Sequence, residues 1–125
     1  MNRPIKFRAW DELRKMIVPA CYIDLVNSEV TLYDDNICAG HQYSRDLCNL
    51  KIMQFTGLLD CEGNEIYEGD IVRIHHYEGY GLSTINFIEG RWCCTDAEPL
   101  YEYNSASLKI IGNIFENPEL MENKE

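Results

Sequence analysis

The stretch TGLLDCEGNEIYEGDIVRI, residues 56–74, constrains the fold more than any other part of this chain. Two glycine corners, Glu62-Gly63-Asn64 and Glu68-Gly69-Asp70, break it into short pieces with the character of β-strands. Gly63 falls where a hairpin loop of three to five residues wants a positive φ, and Gly69 falls where the chain must bend through a conformation closed to most residues. Asp60 is suited to accept local backbone hydrogen bonds in the first turn, and Asp70 to bond forward into the second. Ile71 and Val72 then open the next strand. Gly63, Tyr67, Gly69 and Asp70 therefore make up a structural turn motif, in which a glycine-aspartate corner feeds an Ile/Val strand.

The same stretch carries five carboxylates in eleven residues, Asp60, Glu62, Glu65, Glu68 and Asp70, so a metal site or an acid/base pair has to be weighed. The calcium-loop pattern fails because its glycine would come fourth rather than sixth. Carboxylates at successive turns of a meander also lie at opposite ends of its strands, so turn residues are the expected role.

Elsewhere IKFRAW, residues 5–10, alternates as a half-buried strand does, and MIVPACYIDL resumes an apolar course in which Pro19 predicts an edge strand or a break. EVTLYDD predicts a strand over 29–35, and residues 34–49 a loop with one helical turn near Ser44 to Leu47. Strands follow in LKIMQFTGLL and in IVRIHHY, with Val72 and Ile74 on one face. EGYGLS reads as a glycine-containing connection. STINFIEGRWCC reads as two strands joined at Glu89-Gly90, with Ile85 and Phe87 facing inward. Residues 95–107 predict a long loop, LKIIGNIF a last strand, and Asn117-Pro118-Glu119 the start of a short helix.

Six cysteines would suggest disulfides in an exported chain, but the start, MNRPIKFRAWDELRKM, has charges where a signal peptide needs its apolar core. No apolar run is long enough to span a bilayer. Free thiols in a soluble, cytoplasmic chain are the expectation, with no membrane contact. The cysteines also lack zinc spacing: there is no C-x-x-C, and Cys93 and Cys94 are adjacent.

Charge is divided unevenly. Residues 1–15 carry net +3, from five basic side chains against two acidic, which leaves −13 on the rest of a chain whose total is −10. An acidic body repels phosphate backbones, so nucleic-acid binding is disfavoured. Attraction of Arg3, Lys6 and Arg8 to an acidic surface is the simpler expectation.

Four pieces of the chain, in order, resemble the YopX family: IKFRAWD with KM close behind it, MQFTGLLD at 53–60, GNEIYEGDIV at 63–72 and IIGNIFENPEL at 110–120. The resemblance implies a mainly β protein of a phage or prophage, its second half similar to a small SH3-like barrel, and it brings no catalytic or binding residues to map. His75-His76, Cys93-Cys94 and the tyrosine-rich 101–103 depart from the shared wording.

Those departures suggest little chemistry of their own. His75 and His76, adjacent on a strand, point to opposite faces and do not share an ion. Cys38 and His41, with Asp34, Asp35 or Asp46 behind them, are too close in sequence to make a nucleophile and base. Tyr77, Tyr80, Trp92, Tyr101 and Tyr103 would suit stacking on single-stranded nucleic acid only beside a positive groove, and only Arg73 and Arg91 are at hand. A protein partner fits an acidic, tyrosine-rich surface better.

The expectation is a mainly β chain: an N-terminal β subdomain over 1–50 and an SH3-like barrel with a C-terminal helix over 51–125. It is expected to be non-catalytic, with no metal or cofactor, and to bind protein, either copies of itself as a homo-oligomer or a host component. Arg3, Lys6, Arg8, Tyr101 and Tyr103 are its candidate interaction residues. The alternative is a regulator at nucleic acid, acting as a DNA mimic or through the basic N-terminal strand.

Overall fold

The computed structural model describes residues 4–33, 42–76, 79–94, 100 and 105–122. The chain is mainly β, with eleven strands and one short helix among these residues, and it divides into two compact units, Pro4–Gln54 and a second within Phe55–Glu125.

The first unit is an antiparallel meander of β1 (Phe7–Asp11), β2 (Met16–Asp24), β3 (Glu29–Tyr33) and β4 (Gln42–Asp46). The leading half of β5 (Leu50–Leu59) adds on the far side of β1, so the order is β4-β3-β2-β1-β5. Pro19 neither ends β2 nor puts it at an edge, contrary to expectation. The strand pairs with β1 through Met16–Pro19 and with β3 through Ala20–Asp24, with an irregularity between Ala20 and Tyr22. Proline lacks a backbone donor, and it sits where one ladder hands over to the other.

The handover also lets the meander roll. Asp11 of β1 and Tyr43 of β4 are separated by β2 and β3, about 14 Å in a flat sheet. Their side chains nevertheless meet at 2.9 Å. Inside the roll lie Ala9, Val18, Val30, Leu32 and Leu50, all buried. Residues 42–46, predicted as loop, form a strand because Val30 and Leu32 of β3 face Arg45 and Tyr43 across the ladder and turn both inward, while Gln42, Ser44 and Asp46 face water. Its helical turn lies later, at Leu47–Asn49.

In the second unit the trailing half of β5 pairs with β6 (Glu65–Tyr67), and β7 (Asp70–His76) lies between β8 (Gly79–Thr84) and β11 (Leu108–Asn113). A separate hairpin joins β9 (Asn86–Ile88) to β10 (Arg91–Cys93) through Glu89 and Gly90, both at positive φ, and the predicted joint is there. The strands do not close into one continuous barrel among the described residues. Ile66, Val72, Ile74, Ile85, Leu100 and Leu108 form the core.

Two expectations fail in this unit. Gly79–Thr84 is a strand rather than a connection, paired residue for residue with β7. Phe87 is 54% exposed instead of facing inward with Ile85, because the strand breaks at Ile85 and alternation restarts at Asn86. Its ring packs on Trp92 at 4.8 Å, edge to face. The described residues close with the helical turn α1 (Glu119–Glu122), and among them no helix is long and apolar enough to cross a membrane.

Candidate functional site

The carboxylate-rich stretch is the natural first place to look for chemistry, and its two buried acids are both engaged by backbone. Asp60 Oδ1 accepts the amides of Glu62 and Asn64, each at 2.9 Å, and Oδ2 accepts that of Ile110 at 3.0 Å. Burial pushes the Asp60 carboxyl up, but these three amides outweigh it and hold the group below the usual carboxylate range. Gly63, at φ +83°, lets this turn close.

Asp70 Oδ2 reaches back to accept the Tyr67 amide at 2.7 Å. The Gly69-Asp70 corner also binds two other segments: the Gly69 amide donates to Ile85 O, Ile85 N donates to Asp70 O, and Ile114 N donates to Gly69 O. Tyr67 lies 5.6 Å from Phe55, ring to ring, with its hydroxyl 3.3 Å from Glu65. Glu62 is exposed and reaches Lys109 at 4.0 Å. Among the described residues no three His, Cys, Asp or Glu side chains gather as a metal site would require.

A second buried constellation, which sequence reasoning missed, closes the roll of the first unit. Asp11 Oδ2 accepts the Tyr43 hydroxyl at 2.9 Å and lies 3.3 Å from Arg45 Nε, while Oδ1 accepts the amides of Leu13 and Arg14. The guanidinium groups of Arg14 and Arg45 stand 5.0 and 4.8 Å from the centre of the Tyr43 ring. Burial raises the Asp11 pKa, and the Tyr43 hydroxyl, the two amides and Arg45 more than reverse it, leaving the group lowered. Burial and the bond to Asp11 raise the Tyr43 pKa, with Arg14 pulling the other way. The Asp11 carboxylate thus ties Tyr43 and Arg45 of β4 to β1, a lock across the roll. The available signal was the spacing of Tyr43 and Arg45, two apart and flanked by polar residues that alternate with them.

Among the described residues the two most exposed large apolar side chains lie at the β2–β3 hairpin. Leu25 and Val26 at its tip are 78% and 92% exposed, and Tyr22 on the adjoining strand is 67% exposed. The tip is not slack. Asp24 Oδ1 accepts the amides of Val26 and Asn27 at 3.0 and 3.1 Å, Oδ2 accepts Asn27 Nδ2 at 2.7 Å, and Ser28 takes a positive φ of 54° to re-enter the ladder. The Asn27 side chain and amide, with the Val26 amide, hold the Asp24 pKa below its ordinary value.

The other sequence candidates are dispersed. Lys6 is exposed just ahead of β1, and Arg8 is half-buried with Nη2 3.7 Å from Met53 Sδ. His75 is exposed on β7, and Trp92 lies beside Phe87. Cys93 and Cys94 are both buried. Arg3, Cys38, His41, Tyr77, Tyr101 and Tyr103, with the side chains of His76 and Tyr80, lie outside what is described.

Comparison with known proteins gives a family and a fold. The family described as YopX protein matches residues 6–122. Protein EF1440 from Enterococcus faecalis has a crystal structure that superposes with a TM-score of 0.70 at 26% identity, over 96% of this chain and 99% of that one. Protein yopX from Bacillus subtilis superposes with a TM-score of 0.65 at 19% identity, over 96% and 98% of the two chains. A search of curated proteins finds no match.

Proposed function

The chain belongs to the YopX family, and from that premise we propose that it is a non-catalytic β module that binds protein through the β2–β3 hairpin, with a second copy of itself as the first partner. The observation that supports the reading is an apolar tip, Leu25 and Val26, held out on a turn that a single carboxylate fixes with three hydrogen bonds. A pre-ordered turn loses little conformational freedom on binding, which is where flexible loops forfeit affinity. Burying the two side chains stabilises a complex by roughly 3–6 kcal/mol. Association itself costs about 4 kcal/mol or more, so the hairpin alone supports a weak contact and needs a second surface or several copies to hold firmly. Charge can supply that second contribution, since Lys6 and Arg8 lie on a chain whose net charge is −10. A host protein is the other partner this reading admits, in keeping with the phage or prophage origin implied by the resemblance.

The test is mass by light scattering and native mass spectrometry over a range of concentration and salt, for the wild type and for Leu25→Asp with Val26→Asp. The wild type is expected to show a concentration-dependent oligomer that the double variant loses while keeping its circular dichroism. Monomer mass throughout, together with identical recovery of host proteins by wild type and variant, refutes the reading.

A further inference from the structure

The outer face of the β11-β7-β8 sheet brings basic side chains together in a chain of net charge −10. Lys109 of β11 lies directly opposite Arg73 of β7, and opposite residues of an antiparallel pair share a face. His75, two residues beyond Arg73, is on that face too, while Val72 and Ile74 point the other way into the core. Ser107 precedes β11 next to this group, and the Cys61 amide, donating to Leu108 O at 2.8 Å, brings the Cys61 side chain to the same spot. Arg73, His75, Lys109, Ser107 and Cys61 line a cavity of about 270 Å³.

Glu62 stands 4.0 Å from Lys109 Nζ, and with both side chains about half exposed that ion pair is weak. The donors are of complementary kinds: the rigid fork of a guanidinium, the three protons of an ammonium, a hydroxyl and an imidazole. Such a set matches an anion with several oxygens and two negative charges better than it matches a single carboxylate. The volume is slightly below the range of roughly 300–1,000 Å³ typical of drug-sized ligands, so the occupant is small.

We infer that this cavity is a binding site for a small phosphate-bearing anion, with Arg73 and Lys109 gripping the phosphate oxygens, His75 and Ser107 adding hydrogen bonds, and Cys61 at the rim. The site belongs to the second unit and is independent of the hairpin reading. Inorganic phosphate and glycerol phosphate are the probes, and they separate a site for the free ion from one that also holds the group carrying it.

The experiment is an amide NMR titration of the full chain with each probe, with sodium chloride at matched ionic strength as control. Saturable shifts at Cys61, Arg73, His75, Leu108 and Lys109, half complete below about 10 mM, are expected with phosphate and absent with chloride. Arg73→Gln with Lys109→Gln is expected to weaken binding at least tenfold. Should that variant fail to fold, the wild type still decides: phosphate at matched pH and ionic strength should slow alkylation of Cys61 by uncharged iodoacetamide at least twofold and leave Cys21 and Cys48 unaffected. Non-saturating shifts, shifts centred elsewhere, equal affinity in a folded variant, or equal slowing at all three thiols overturns the assignment.

Discussion

Replacing Asp60 tests whether one buried carboxylate organises the second unit. The side chain is 3% exposed and accepts three amides, two from its own turn and one from Ile110 on β11. Hydrogen bonds to a charged acceptor contribute about 1.5–3 kcal/mol each, and a buried donor left without one costs about 1–3 kcal/mol. Because the three bonds share one acceptor they do not add, and about 3–5 kcal/mol is expected for Asp60→Ala. Asp60→Asn keeps one oxygen for the turn amides but sets an NH2 against the Ile110 N–H, so about 2–3 kcal/mol is expected there. The chain has two tryptophans, Trp10 in the first unit and Trp92 in the second, so a Trp10→Phe parent makes fluorescence report the second unit alone. Urea unfolding followed through Trp92 should show Asp60→Ala below Asp60→Asn and both below the parent. The Asp60 pKa is lowered in the folded chain, so its contribution is complete above the unfolded value near 3.9 and is lost as pH falls through the folded value. The gap between parent and Asp60→Asn therefore narrows on acidification below about pH 4. An Asp60→Ala protein within about 1 kcal/mol of its parent at neutral pH, or a gap that does not change in acid, refutes the reasoning.

Three further outcomes follow from described contacts. Tyr43→Phe removes the hydroxyl from Asp11 and should cost the first unit about 1–2 kcal/mol by urea unfolding followed at Trp10. The Asp11 pKa is also lowered, so that difference is present above the unfolded carboxylate value and shrinks as pH drops through the folded one. Gly69→Ala forces a side chain onto φ +86° and should cost about 1–2 kcal/mol, read from the Trp92 transition. In Gly112→Ala the new Cβ would stand 2.5 Å from Asn117 Oδ1, displacing the acceptor of the Asn113 amide, and should cost about 1–3 kcal/mol; adding Asn117→Ala clears the space, so the double variant should lose less than the two singles together.

Features that depend on near neighbours were legible in the sequence. The Glu89-Gly90 joint, the β5 and β7 strands and the inward Val72 and Ile74 all follow from alternation and from glycine at positive φ. What escaped depends on partners far along the chain. β4 has no apolar alternation, and only its pairing with β3 turns Tyr43 and Arg45 inward. Pro19 looked disruptive because nothing local shows that β2 changes partners there. β8 contains two glycines, which weaken a strand on propensity grounds, yet its ladder to β7 runs unbroken. The lock at Asp11 and the brace at Asp60 join residues 32 and 50 positions apart, a separation that no short pattern records.

The central place of β1 has a consequence for the chain as it is made. Its two neighbours arrive at different times. β2 follows the Asp11 turn at once, whereas the β5 residues that pair with Phe7–Asp11 are Leu50–Gln54, roughly 40 residues later. At about 5–20 residues per second of synthesis, one edge of β1 stays open for about 2–8 s, a template on which another nascent strand can add. Lys6 and Arg8 lie beside and within that open edge. Positive charges are a common means of discouraging edge-to-edge addition, and Lys6 and Arg8 are placed where like charge would oppose it in the interval before β5 emerges.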